Sequence, residues 1–274
     1  MSLLELQIYH KTPYPAIDPR RPELSQAGRT ILITGGNGGI GFAIARAFII
    51  AGAKRVIILG RGPEKVKSAA IRLTEELRVI GSPTIVDGRV CNASDIDSTD
   101  ALWADFQRDG IAVDVVVMNA ASFGEAKPLL EAGRDRVWQD FNTNVRSHLD
   151  FAERLQKQKG EGALGRKYLV NVSSTAIYMW STTTPELPSY GLTKNAGTAL
   201  LQQIAKDVNP YDLQITIVWA ASPEAEFLHG RFVWANWDVE EVKDGVIGKR
   251  IREDPHFLKV GVEGLSESMA PPQI

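Results

Sequence analysis

A single cysteine, Cys91, stands among 274 residues. That excludes an internal disulfide framework, and one thiolate builds no zinc site by itself, so the chain fits a reducing compartment. A basic surplus is missing as well: 31 Lys and Arg against 33 Asp and Glu leave a formal charge of -2. The cations are scattered rather than clustered, which makes nucleic acid a poor partner and a small molecule the expected one. No apolar run approaches the roughly 18 residues of a membrane span. The opening MSLLELQIYHKTPYPAIDP carries an acid at Glu5 and no basic stretch ahead of a long apolar run, so it does not read as a secretory leader. These absences lead us to expect a cytoplasmic protein without a membrane or nucleic-acid partner. Internal repeats, low-complexity tracts and a linker to a second domain are also missing.

What is present is a regular alternation. Hydrophobic residues make up 44% of the chain and charged residues 23%, the balance of a globular protein. Residues 1–28 are proline-rich and aperiodic, and we expect an arm wrapped over the rest. From Thr30 onward short β-branched runs, TILIT and RVIIL, flank GFAIARAFIIAG, whose apolar residues recur at helical spacing. Further strand candidates lie at Thr84 to Val86, Val113 to Met118, Tyr168 to Val172 and Ile215 to Val218. Helical patterns fall near Pro63 to Val79, Ser98 to Arg108, Arg134 to Gln158 and Ser189 to Val208. This alternation predicts an α/β fold, a doubly wound parallel sheet of the Rossmann type in a single domain.

The first strand runs into TGGNGGIG, Thr34 to Gly41, with a helix directly behind it. Glycines there permit a sharp turn and close approach of the backbone to a pyrophosphate, while the free N–H groups of the helix start favour the anion. The spacing of Gly35, Gly39 and Gly41 is G-x-x-x-G-x-G. It resembles the short-chain dehydrogenase/reductase family, and the resemblance implies cofactor contacts from Gly35, Asn37, Gly38, Gly39, Ile40 and Gly41. Where NAD-preferring relatives carry an acid after the second strand, this chain has Gly60 followed by Arg61. With no carboxylate to repel a 2′-phosphate and a guanidinium to pair with it, NADP(H) is expected over NAD(H). Near the adenine the usual Asp-Val is replaced by Asn92-Ala93, whose amide is still able to hydrogen-bond the ring amine. The run after the fourth strand reads Met118 to Ala121, which keeps Asn119 and Ala120 but sets Ala121 where a glycine is usual.

YGLTK places Tyr190 and Lys194 four apart on one face of a predicted helix. A neighbouring ammonium lowers a phenol toward the range useful for acid–base work. VNVSS ends the fifth strand, where the family presents a serine to the substrate oxygen; Ser174 is favoured and Ser173 is its runner-up. FNTNV resembles the family's asparagine site, Asn144, which holds a water that relays protons to the lysine. The resemblance thus implies a catalytic set of Asn144, Ser174, Tyr190 and Lys194, with Tyr190 and Lys194 also touching the cofactor. Each residue has a plainer reading: Ser174 as a turn cap, Asn144 as a helix bend. The interval between Ser174 and Tyr190 is longer than is usual in the family, and Tyr178, Met179 and Trp180 within it either line an apolar substrate pocket or belong to core or surface.

In the family the sixth strand is followed by a Pro-Gly turn and a mobile lid. Here Ile215 to Val218 leads through WAASPEAEFLHGRFVWANWD, where Ser222-Pro223-Glu224 reads as a helix start with serine as N-cap. FVWANWD resembles the family's last strand. The lid is therefore missing near Val218 and Trp219, either left out between residues numbered as consecutive or deleted, and a Cα separation well beyond about 3.8 Å within Ile217 to Ala220 would mark an omission. We expect an arm over 1–28, the enzyme domain over 29–238 and a C-terminal extension over 239–274, the flanks resembling fungal members. The resemblance also implies a homodimer or homotetramer formed through the helices of Asn144 and Tyr190. The rival reading is a dinucleotide-binding relative without redox activity, a cyclase, isomerase or scaffold, suggested by Asn92, Ala121 and the lost lid.

Overall fold

The computed structural model describes residues 6–158, 165–178, 187–216 and 221–261. Its centre is a parallel sheet of six strands in the order β3-β2-β1-β4-β5-β6, as expected of a doubly wound fold. The strands are β1 (Thr30–Ile33), β2 (Arg55–Gly60), β3 (Ile85–Val90), β4 (Val115–Met118), β5 (Lys167–Asn171) and β6 (Leu213–Thr216). The chain reverses its order of addition between β1 and β4, which opens a crevice at the carboxyl ends of those strands.

Successive side chains of a strand point to opposite faces, and both faces here are buried, so the central positions of β1, β2, β4 and β5 are apolar. Leu32, Ile57, Val116 and Leu169 pack on one side under α3 (Ile96–Arg108), α6 (Ser147–Lys157) and α7 (Pro188–Asp207). Ile31, Ile33, Ile58 and Val117 pack on the other under α1 (Gly39–Ile50) and α2 (Pro63–Ile80). Gly81 closes α2 in the left-handed conformation at φ +67°, and the Asp95 carboxylate caps α3 by accepting from Ser98 N at 2.8 Å.

Four expectations are corrected. β3 extends to Val90 through Asp87 and Gly88, well past the predicted Val86. The single helix predicted over Arg134 to Gln158 is α5 (Arg134–Phe141), a π turn at Asn142–Arg146, and α6; the short α4 (Leu129–Ala132) precedes it. Pro223–Leu228 is 3-10 rather than α-helical, and the buried Ser222 hydroxyl makes no capping bond and has no hydrogen-bond partner among the described residues. FVWANWD is not a seventh strand. The exposed edge of β6 is already occupied, because Ile215 N donates to the His229 imidazole at 3.1 Å and Gly230 N donates to Ile215 O at 2.8 Å. Residues 231–237 leave the sheet instead, and Val233 and Trp237 join Leu6, Leu228, Val242, Ile247 and Ile251 in a third apolar cluster.

The amino-terminal residues pack on that cluster. Tyr9 bridges Trp237, His10 Nε2 lies 2.8 Å from Asp238 Oδ2, and Arg21 pairs with Glu224 at 3.1 Å. Arg29, nearly fully buried, donates to Ala221 O at 2.6 Å and stacks its guanidinium 4.6 Å over the Tyr168 ring. Among the described residues no helix is long and apolar enough to cross a membrane. Of the expected positions, Met179, Trp180 and the junction Ile217 to Ala220, including Val218 and Trp219, lie outside the described residues.

Candidate active site

The glycine turn follows from sterics. Gly35 and Gly39 have φ of +65° and +50°, a region that side chains disfavour. A Cβ on Gly36 would stand 2.8 Å from the Ile58 side chain, and one on Gly41 would overlap the Gly35 carbonyl oxygen. By contrast a Cβ on Gly38 meets nothing within 4 Å. The helix start is thus packed tightly beneath and open above, a cradle that suits an anion such as a pyrophosphate. Ile40, in the first turn of α1, is 64% exposed beside it.

Thr34, which the sequence reading did not single out, welds this turn to the segment after β4. Its hydroxyl accepts N–H bonds from Asn119 at 2.9 Å and Ala120 at 3.0 Å. The Asn119 side chain donates back to Thr34 O at 3.0 Å and to Gly35 O at 3.2 Å. The result is one wall of a cleft of about 640 Å³ that runs from Gly35 and Asn37, past Gly60 and Arg61, to Asn92, Ala93 and the run Asn119 to Ala121. The cofactor positions expected from sequence therefore meet around one cleft or at the helix start beside it. Arg61 is exposed. The Asn92 side-chain oxygen already accepts from Ser94 Oγ at 2.8 Å and from Ser94 N at 3.3 Å, leaving its amide hydrogens for a ligand. Gly60 is glycine for a local reason: a Cβ there would lie 2.5 Å from Asn37 Oδ1.

The four catalytic candidates do not line this cleft; Asn144 is tied to its rim, since it bonds Ser122 and follows Thr143, both of which do line it. Asn144 is buried in the π turn, where its Nδ2 donates to Ser122 O at 2.7 Å and to Thr193 Oγ1 at 2.8 Å, and its Oδ1 accepts from Ser122 N at 2.8 Å. The extra residue of the π turn lets this side chain face α7. Gly197 of α7 completes the fit, since a Cβ there would collide with the Asn144 carbonyl oxygen. Asp140, one turn earlier and fully buried, accepts from Ser122 Oγ at 2.5 Å, Arg136 at 2.7 Å and Ser189 Oγ at 2.6 Å.

Ser174 caps a 3-10 turn, Thr175–Ile177, by accepting from Ala176 N at 3.2 Å, so its proton is left free to donate outward. Ser173 is instead tied to Thr198 of α7 at 2.9 Å. Tyr190 stands in the first turn of α7, and its ring stacks on Phe123 with centroids 4.9 Å apart. Lys194, one turn on and only 3% exposed, donates from Nζ to Val172 O at 2.7 Å. Burial holds its pKa well below the ordinary lysine value, at about 8. Behind it lies His148, fully buried and pushed down to about 3 by desolvation and then by the Lys194 charge. A neutral imidazole is what that place tolerates, and it contacts Asn171 Oδ1 at 3.0 Å. Sequence reading missed Asp140 and His148, although both lie at four-residue spacing from Asn144 and so on its helix face.

A family profile described as short chain dehydrogenase matches residues 29–229. Among curated relatives, a short chain dehydrogenase/reductase of Claviceps purpurea is 28% identical over 93% of this chain and 92% of its own length. The short chain dehydrogenase/reductase nsrO of Aspergillus novofumigatus is 28% identical over 96% and 99%. These alignments span 288 and 306 positions, more than the 274 residues here, so the relatives carry residues without a counterpart in this chain. Among solved structures, the Pseudomonas aeruginosa RhlG/NADP active-site complex superimposes with a TM-score of 0.62 at 23% identity, over 75% of this chain and 78% of the other. An NAD+-bound xylitol dehydrogenase gives 0.59 at 22%, over 70% of each.

Proposed function

The chain belongs to the short chain dehydrogenase family, whose members bind a nicotinamide dinucleotide, and from that premise we propose an NADP(H)-dependent oxidoreductase that interconverts a carbonyl and an alcohol on a small apolar or aromatic substrate. The observation that carries the reading is Lys194. A lysine buried this deeply costs stability, yet it stands one helical turn from Tyr190 with its ammonium on the strand end that leads into Ser174.

In this reading Gly35, Asn37, Gly38, Gly39, Ile40 and Gly41 hold the pyrophosphate at the start of α1, Asn92 and Ala93 flank the adenine, and Asn119, Ala120 and Ala121 form the opposite wall. Arg61 pairs with the 2′-phosphate, supported by Gly60, where a Cβ would meet Asn37. Bound there, the dinucleotide would supply or accept a hydride. For reduction, the Ser174 hydroxyl donates to the substrate carbonyl oxygen and polarises it, and Tyr190 delivers a proton to that same oxygen. The Lys194 ammonium stabilises the phenolate that Tyr190 leaves and binds ribose hydroxyls, while Asn144 positions a water for the return proton. Oxidation reverses these steps. Ser174 rather than Ser173 fills the role because the Ser173 hydroxyl is engaged by Thr198.

Only residues 217–222 separate β6 from the turn at Pro223, so we place the loss of the family's lid there. An apolar hollow of about 340 Å³ beside the unpartnered Ser222, between Ile17, Phe48, Val117 and Val170, supports that placement. Were the lid deleted rather than omitted, the substrate side would stay open to water, which weakens electrostatic stabilisation of the transition state. We further propose the division into an arm at 1–28, a domain at 29–238 and an extension at 239–274, a cytoplasmic location, and a homodimer or homotetramer through α5, α6 and α7. Trp138 on α5, 65% exposed, supports such an interface.

The test is Tyr190→Phe assayed with NADPH and a panel of ketones and quinones. Turnover is expected to fall by about 100-fold or more, a loss larger than any change in NADPH affinity measured by calorimetry. A variant that keeps wild-type turnover, or a wild-type protein that binds NADPH tightly yet reduces nothing, would sink the reading.

A further inference from the structure

A second cavity, of about 430 Å³, lies outside the dinucleotide cleft, within the size range of small-molecule sites. It opens where the catalytic segments end. Tyr178 follows the turn that Ser174 caps, and Asn195, next to Lys194 in sequence, donates to Ile177 O at 2.6 Å. Across from them stand Phe232 and Trp234. The three rings of Tyr178, Phe232 and Trp234 are spaced 6.1 to 6.2 Å between centroids, and every pair meets at 70° to 80°. Three nearly perpendicular rings form an apolar corner that takes a further flat ring in offset or edge-to-face contact.

The remaining wall supplies charge. Lys259 lines the cavity; burial first, and then the nearby cations Arg231 and Lys206, lower its pKa. Among the described residues neither Lys259 nor Lys206 is in an ion pair. Arg231 spends its donors on the carbonyls of Ile251, Asp254 and Phe257, so Lys259 is the cation left for a ligand. The backbone beside it is held under strain. Leu258 has φ +61°, alone among the described non-glycine residues in that region, and it is pinned on both sides: Phe232 N donates to Leu258 O at 2.8 Å, and Val260 N to Gln202 Oε1 at 2.9 Å. Backbone strain held in this way gathers at binding sites. A quaternary ammonium would also suit an aromatic corner, but the cations around Lys259 repel it.

We infer that this cavity binds a planar aromatic acid, its ring in the corner of Tyr178, Phe232 and Trp234 and its carboxylate or phenolate on Lys259. As a substrate anchor the site rests on the reductase reading above; as a binding site it stands alone. The experiment is calorimetric titration of the full chain, free of dinucleotide, with 2-naphthoate and with the neutral isostere 2-naphthamide. The acid is expected to bind about ten-fold more tightly than the amide. Lys259→Met removes that preference and leaves amide affinity unchanged. Tyr178→Ala, which deletes a half-exposed ring and spares the fold by circular dichroism, weakens both probes about ten-fold. Equal affinity for acid and amide in the wild type, or full affinity in Tyr178→Ala, overturns the inference. Naphthoate binding as stated alongside an active Tyr190→Phe would instead remove the catalytic reading and leave the pocket standing.

Discussion

Replacing Lys194 by methionine separates the cost of a buried ammonium from its use. Burial lowers the Lys194 pKa from the ordinary 10.5 to about 8. Between those values the unfolded chain holds a proton that the folded chain has released, so stability rises with pH from about 8 to about 10.5. Below that window the ammonium is charged in both states and its full cost is felt; above it the amine is neutral in both and the cost is gone. At about 1.4 kcal/mol per pKa unit the change across the window is about 3 kcal/mol. Lys194→Met has no such titration, but it forfeits the bond to Val172 O, a loss of about 1 kcal/mol. The variant should therefore be the more stable protein by about 2 kcal/mol at pH 7, and the less stable by about 1 kcal/mol near pH 10.5. Urea unfolding of both proteins without dinucleotide, followed by circular dichroism from pH 7 to 10.5, measures the difference directly, and titrating groups that do not feel the Lys194 charge cancel in it. A difference that stays flat to within about 0.5 kcal/mol refutes the argument. Turnover should be lost in the variant throughout.

Arg61→Ala should weaken NADPH by about ten-fold or more in calorimetry and leave NADH untouched, because only the 2′-phosphate contact is removed; equal loss for both dinucleotides would count against the assignment. Gly197→Ala drives a Cβ into the Asn144 carbonyl oxygen. Overpacking of about 1–3 kcal/mol then outweighs the helix-propensity gain of about 1 kcal/mol, lowering the urea midpoint. Gly38→Ala meets nothing within 4 Å, so it should unfold like the wild type while losing dinucleotide affinity, since its methyl enters the pyrophosphate cradle.

The strands that were easiest to read are those buried on both faces. VVVM and YLV must be apolar at each position because each residue faces one core or the other. β3 was only half legible because it lies at the sheet edge, where Asp87 and Arg89 pair with each other at 3.0 Å in partial exposure rather than filling a core. The π turn was invisible, since one extra residue leaves the apolar spacing of a long helix nearly unchanged. Its cause is tertiary: Asn144 reaches Ser122 and Thr193, and Gly197 makes room. The plain readings of Ser174 as a cap and Asn144 as a helix irregularity are both realised in the fold.

The sequence by itself determined the parallel α/β architecture, the glycine turn and the family, because these rest on local rules: short apolar runs buried on both faces, positive φ at Gly35 and Gly39, and four-residue spacing on a helix. Only the tertiary structure decided what surrounds those elements. It filled the β6 edge with His229 and Gly230, so that FVWANWD left the sheet, and it set Phe232, Trp234 and Lys259 opposite Tyr178. Contacts between residues so far apart in sequence depend on which surfaces packing has already occupied, and no local pattern encodes that.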